Sequence, residues 1–389
     1  PCSESLVAVY SGMACGTILL SYDIRQAAGI EDGYKRKEVL NINVCISAEN
    51  IIFAEIIHYA MTHQEFKDAA RQHQIDFKVN DHEINVPADR FPIRFMKRNG
   101  KEYRIDVRSS LTWKDAVDEN GDYRIFFSGF RHEITEIINQ MEFPSKGQMV
   151  TNLLRSEHIP YNLFYPMRYD LDGAAMLFNR ILGKNKIAGI GKILIEYNPG
   201  GLHDGTSFDV FVEYDNKSGQ KGGIGIEVKY TEKEYPIKRG TKEWNETHNE
   251  AGIHLADNYR KPSTDCGWFK EKHIGDVPFE DAEGMTHHVV ANQYRQIWRN
   301  HILGASMVLG LCDDILSEFT SLTIYPKGNV HFSGIWSEYE SMLTPSGQET
   351  FRHLTYEDLF HMMQECLNVT KIPNLNQWMD YLNRRYIIK

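Results

Sequence analysis

The sequence contains no apolar run near the ~20 residues that a membrane-spanning helix needs, so no such span is expected. It is poor in cysteine for its length. The six, Cys2, Cys15, Cys45, Cys266, Cys312 and Cys366, are scattered with no Cys-x-x-Cys pair. That excludes a zinc ribbon, offers no disulfide framework and fits a reducing, cytoplasmic setting. No G-x-x-x-x-G-K-S/T run exists, so P-loop chemistry is unsupported. Gly189-Ile190-Gly191 lacks the third glycine of a dinucleotide fingerprint, and no G-x-S-x-G elbow is found. Positive charge is also short: 43 Lys and Arg face 53 Asp and Glu, a net charge of −10. A protein that coats a polyanion over its whole surface would be basic, so that class is disfavoured; a groove needs only a local basic strip. The opening segment lacks the basic stretch of a signal peptide, and a start at Pro1 suggests processing or trimming.

What is present is an ordinary globular composition, 42% hydrophobic and 25% charged over 389 residues, long enough for two domains. The cluster Glu142-Phe143-Pro144-Ser145-Lys146-Gly147 marks the best boundary. Residues 1–146 read as an α+β accessory or recognition domain. A helical period covers 48–73 with Ser47 as a candidate N-cap, a strand is expected over 123–130 and a short helix over 132–141. The segments 91–95 and 103–107 alternate on either side of Asn99-Gly100, the favoured pair for a tight hairpin turn. Residues 147–389 read as an α/β domain. Helices are expected over 149–164, 171–182, 288–302, 356–366 and 375–385, with strands over 187–197, 207–214, 224–230 and 321–325. This order implies a central sheet with helices on both sides.

The informative pattern is Ser207-Phe208-Asp209-Val210-Phe211-Val212-Glu213-Tyr214, a polar turn, then Gly223-Ile224-Gly225-Ile226-Glu227-Val228-Lys229-Tyr230. Both halves alternate like strands and should form a hairpin. Residues i and i+2 share one face of a strand, so Glu227 and Lys229 point the same way and Asp209 can reach them from the partner strand. Two carboxylates and one ammonium thus converge at a sheet edge. Two hard oxygen donors suit Mg²⁺ or Mn²⁺, and the lysine can orient a water and offset charge in the hydrolysis of a phosphodiester. Glu65-Phe66-Lys67 and Asp76-Phe77-Lys78 repeat the spacing, but the first falls in a helical pattern and the second has no acidic partner strand.

With these residues in place the segment from about Val150 to Cys366 resembles the PD-(D/E)xK nuclease superfamily, with Asp209 and Glu227-Val228-Lys229 as the matching motif. Ser156-Glu157-His158, Asn162-Leu163-Phe164, Gln293-Tyr294-Arg295 and Leu322-Thr323-Ile324-Tyr325-Pro326 resemble an uncharacterised bacterial branch of it. The resemblance implies an α/β, restriction-endonuclease-like mixed central sheet flanked by helices, beside the N-terminal α+β domain. It implies that Asp209 and Glu227 bind the metal, that Lys229 acts on the nucleophile and that a helix acid, here Glu157, completes the site. It further implies endonuclease action on DNA and a role in bacterial defence or restriction, as a homo-oligomer or with a defence-system partner protein. Phe208 stands where the superfamily often has proline.

Alternatives remain beside these residues. Glu196 and Asp204 are rivals for the acid roles. Arg295 and Arg299, four apart on a helix, can contact phosphate or form a solvated face. Arg90, Arg94, Lys97, Arg98, Lys101, Arg104 and Arg108, interleaved with Phe91, Phe95 and Tyr103, can bind nucleic acid or be the solvent face of a ribbon. A catalytically silent nucleic-acid or protein binding module that keeps the nuclease fold is the rival function.

Overall fold

The computed structural model describes residues 62–388 except 91–93, 99, 143–144, 203–204, 235–239, 242–255 and 276–287, together with four short strands before residue 52. The chain divides into two compact units, Pro1–Ala60 and Met61–Lys389. In the first, β1 (Ile18–Ser21) pairs antiparallel with β2 (Val39–Ile42), and β3 (Ile46–Ser47) with β4 (Asn50–Ile51). The division falls after Ala60 and not after Lys146. Residues 62–142 lie in the second unit, where Phe66 and Ile134 share one buried core with Phe178 and Val228.

Of the helix expected over 48–73, α1 (His63–Asn80) holds the C-terminal part; Ser47, the expected N-cap, and Asn50 and Ile51 lie in short strands, and residues 52–61 lie outside the described residues. A capping box starts α1: Thr62 accepts from the Glu65 N–H, and Glu65 reaches back to the Thr62 N–H. The strand expected over 123–130 is an irregular buried segment. Its backbone finds side-chain partners in place of a ladder. Asn162 Oδ1 accepts from the Phe127 N–H (3.0 Å) and Glu83 Oε2 from the Ser128 N–H (2.9 Å). It leads into α2 (Arg131–Gln140). The single helix expected over 149–164 is two, Lys146–Thr151 and α3 (Ile159–Phe164), with Glu157 in the turn between them.

Then α4 (Leu171–Leu182) leads into a five-stranded mixed sheet. Its strands are β7 (Ile187–Tyr197), β8 (Phe208–Asn216), β9 (Lys221–Val228), β10 (Glu318–Tyr325) and β11 (Phe351–Thr355), in the order β11-β10-β9-β8-β7. β7, β8 and β9 form an antiparallel meander, while β9, β10 and β11 are parallel. β11 and α7 (Phe332–Met342) had no counterpart in the sequence reading. Alternation along β9 divides the core. Ile224, Ile226 and Val228 join the cluster that contains α4, α8 (Tyr356–Cys366) and α9 (Leu375–Tyr386). The opposite face is covered by α5 (Asp257–Asp265), α6 (Arg295–Val308) and α7. There β9 carries Gly223 and Gly225, and a Cβ at Gly225 would strike the rings of Phe208 and Phe319. Phe208, in the place where the superfamily often has proline, fills the space that this glycine leaves.

Cys266, Cys312 and Cys366 are free. Among the described residues no helix is long and apolar enough to cross a membrane.

Candidate active site

The register of the sheet lines up three carboxylates. Ile195 and Tyr197 of β7 lie opposite Val210 and Phe208 of β8, and Val210 lies opposite Ile226 of β9. Continuing these pairings sets Glu196, Asp209 and Glu227 in one row across three adjacent strands, and Thr323 of β10 extends it. The site therefore sits at the C-terminal end of the central strand, not at a sheet edge as expected. Glu196 has φ 55°, a left-handed conformation that costs a non-glycine residue about 1 kcal/mol or more. The surrounding sheet over-determines it.

Burial and mutual repulsion act on this row. The Asp209 carboxyl is held well above the usual aspartate range, first by burial and then by Glu227 and Glu196. Burial first, then Glu227 and Glu157, push Glu196 up to about 7. Against them, Asp209 Oδ2 accepts the Val228 N–H (2.7 Å), which ties the carboxylate to the strand carrying Glu227.

Lys229 is buried, 6% exposed. Its Nζ donates to Glu227 Oε1 (2.6 Å) and to Gln296 Oε1. Burial alone would lower the lysine pKa; Glu227, Asp209 and Glu232 outweigh it and leave the group raised, hence an ammonium. Its backbone is fixed too. The Lys229 N–H continues the parallel ladder to Ile324 O (2.8 Å), and the Tyr356 hydroxyl donates to Lys229 O (2.6 Å). The other oxygen of Glu227 accepts from Asn300 Nδ2 (2.8 Å).

Gln296 and Asn300, four apart on α6, thus face the strand together. Sequence reasoning missed both. The available signal was a Gln-x-x-x-Asn step in a helix expected to cover the central sheet. Asn300 Oδ1 and Thr323 Oγ1 are buried without a hydrogen-bond partner among the described residues.

Other expected residues lie elsewhere. Glu157 is engaged by Arg155 through two hydrogen bonds, one of 2.6 Å, although its charge is felt at Glu196. Arg295 is 1% exposed. Arg299 donates to the Tyr259 hydroxyl (2.8 Å) and to Thr206 Oγ1 (2.7 Å). Neither arginine forms the solvated face considered for that helix, and both are built into the α6 packing. Asp204 lies outside the described residues.

A hairpin ribbon forms where expected, but its strands, β5 (Arg94–Arg98) and β6 (Lys101–Ile105), lie closer to the turn than 91–95 and 103–107; Gly100 has φ 73°, and residues 91–93 and 99 lie outside the described residues. Lys97 lies opposite Glu102, and Arg98 opposite Lys101.

Among the described residues, no group of three or more His, Cys, Asp or Glu is arranged to hold a metal. The donor chemistry still suits a hard cation. Mg²⁺ keeps several waters and needs only one or two carboxylates plus substrate oxygens. A row of one buried and two half-buried carboxylates that repel one another is the environment a divalent cation relieves.

The family model of the PD-(D/E)XK nuclease superfamily matches residues 62–388. The chain belongs to this superfamily. Membership suggests a nuclease that acts on nucleic acid with a divalent metal, and the mixed sheet flanked by helices is the fold implied by the resemblance. The match begins at Thr62, whose side chain caps α1, so α1, the ribbon and α2 fall within it. No curated protein and no solved structure matches the chain.

Proposed function

We propose that this protein is a metal-dependent nuclease that hydrolyses phosphodiester bonds, with DNA as substrate and endonucleolytic cleavage as its mode. The observation that carries this reading is the row Glu196–Asp209–Glu227 beside the buried ammonium of Lys229. Asp209 and Glu227 would hold Mg²⁺ or Mn²⁺. When bound, the ion supplies Lewis-acid activation of the scissile phosphate and of the attacking water. Lys229 presents a fixed positive charge where the nucleophile approaches and offsets charge on the phosphoryl oxygens. Gln296 and Asn300 aim the lysine and Glu227 from α6. Glu196 takes the place of third carboxylate that the resemblance gave to Glu157. The water oxygen bonds to phosphorus and loses a proton to solvent, the P–O bond to the leaving sugar oxygen breaks, and that oxygen takes up a proton from solvent, giving a phosphate monoester and a sugar hydroxyl. A role in bacterial defence rests on the resemblance alone.

The test is incubation of the purified protein with plasmid and with linear single strands in Mg²⁺, in Mn²⁺ and in EDTA. Nicking or linearisation that EDTA abolishes is the expected result. No cleavage of any of these substrates in either metal overturns the reading.

A further inference from the structure

Among its described side chains, the β5–β6 ribbon is exposed on both faces. Phe95 is 64% exposed and Tyr103 is 47% exposed, and the side chains of Lys97, Lys101, Glu102 and Arg104 are also exposed. Alternation sets Phe95 and Lys97 on one face and Lys101 and Tyr103 on the other. A two-stranded ribbon without a packed face gains little stability of its own, so its aromatics do not serve a core.

Its charge is also set apart from the rest of the chain. Over residues 94–105, Arg94, Lys97, Arg98, Lys101 and Arg104 stand against the single acid Glu102, in a protein of net charge −10. The neighbouring arginines are spent in ion pairs: Arg90 with Asp115, and Arg108 with Asp106. By contrast Lys97, Lys101 and Arg104 form no ion pair among the described residues, although Lys97 lies across the ribbon from Glu102.

From this juxtaposition of free cations and exposed aromatic rings we propose that the ribbon is a stacking platform for an unpaired stretch of the nucleic-acid substrate. On one face phosphates lie against Lys97 and Arg104 and a base stacks on Phe95; on the other, Lys101 and Tyr103 offer the same pairing of cation and ring. Stacking needs open π-faces, which bases within a duplex lack, so the occupant is a single strand or a frayed end. The proposal deepens the nuclease reading and rests on it for the identity of the ligand, but its test does not depend on cleavage.

Binding of a labelled oligothymidylate to the full chain is titrated in EDTA at several salt concentrations, for wild type, for F95A/Y103A and for K97A/K101A/R104A. The aromatic variant should bind about tenfold weaker or less tightly still. The basic variant should lower the salt slope by up to about 0.7 per lost contact. Thermal unfolding of both variants should match wild type, because the altered side chains are exposed. Unchanged oligonucleotide binding in both variants overturns the proposal. So does a loss confined to the basic variant, which means backbone contact without stacking, or a loss seen only with duplex. Ribbon-dependent binding by a protein that cuts nothing would sink the nuclease reading and leave the platform standing. Normal cleavage with ribbon-independent binding would sink the platform alone.

Discussion

Two hairpins in this molecule share a plan and differ in surroundings. β5–β6 and β8–β9 are both antiparallel, and both have a turn glycine in the left-handed region, Gly100 at φ 73° and Gly219 at φ 75°. In β8–β9 the faces meet two separate cores, and every residue of β9 after Lys221 is buried. In β5–β6 both faces meet water. The same charged residue types therefore behave differently. Lys101 is solvated and free to meet a mobile ligand. Lys229 is locked between Glu227 and Gln296, and Asp209 and Glu196 in the same row are crowded enough to shift their protonation. Local pattern specifies the hairpin; the packing around it decides whether its charges form a surface or a site.

The contrast breaks most sharply if Glu227→Ala or Asp209→Ala leaves cleavage intact. Either change is expected to cut the rate on the order of 10³-fold, by the scale of losing a group that stabilises transition-state charge. Asp209→Ala should not destabilise the metal-free protein, because it relieves repulsion. Cleavage kinetics and thermal unfolding of the purified variants check both halves. Next in size, Asn300→Ala leaves Glu227 Oε2 buried without its amide. It should cost about 1–3 kcal/mol in stability by denaturant titration and lower kcat with it.

A like contrast holds for steric changes. Gly225→Ala drives a Cβ into Phe208 and Phe319 and should cost about 1–3 kcal/mol, while Phe95→Ala on the open ribbon should stay within about 0.5 kcal/mol. Equal effects in urea unfolding would erase the distinction between the hairpins.

The last contrast is pH dependence. Glu196 titrates near 4.5 when unfolded and about 7 when folded. A raised carboxyl pKa favours the folded state at low pH, so that contribution is full below about 4.5 and is lost as pH rises to about 7. Metal-free Tm should fall over this window, and Glu196→Gln should flatten the fall.

The site was legible where chemistry and strand period coincide. Asp209, Glu227 and Lys229 could be placed from alternation alone, and α4 and α8 from apolar spacing. Glu196 was legible as a rival acid at the end of its strand, although no periodicity announces its left-handed backbone. Two things were not legible. Gln296 and Asn300 reach the strand from a helix 67 and 73 residues away in sequence. The run 125–127 is apolar like a strand but satisfies its backbone through the side chains of Asn162 and Arg131. Burial was misjudged for Arg295 and Arg299 because four-residue spacing describes a helix face without saying what covers it.

The switch from antiparallel to parallel pairing at β9 has a consequence for the order of assembly. The turn between β8 and β9 closes a short loop, and β7 joins by the next connection, so the meander that aligns the three carboxylates can form early. β10 cannot pair with β9 until the chain has run from Val228 to Glu318, and α6 arrives within that same excursion. Closing so long a loop delays the event. The protein is therefore expected to own a crowded, unclamped carboxylate row before it owns the helix that restrains Glu227 and Lys229. In pulsed hydrogen exchange during refolding, amides of β8 should gain protection before those of β10. Simultaneous protection would mean that the two halves of the sheet nucleate as one.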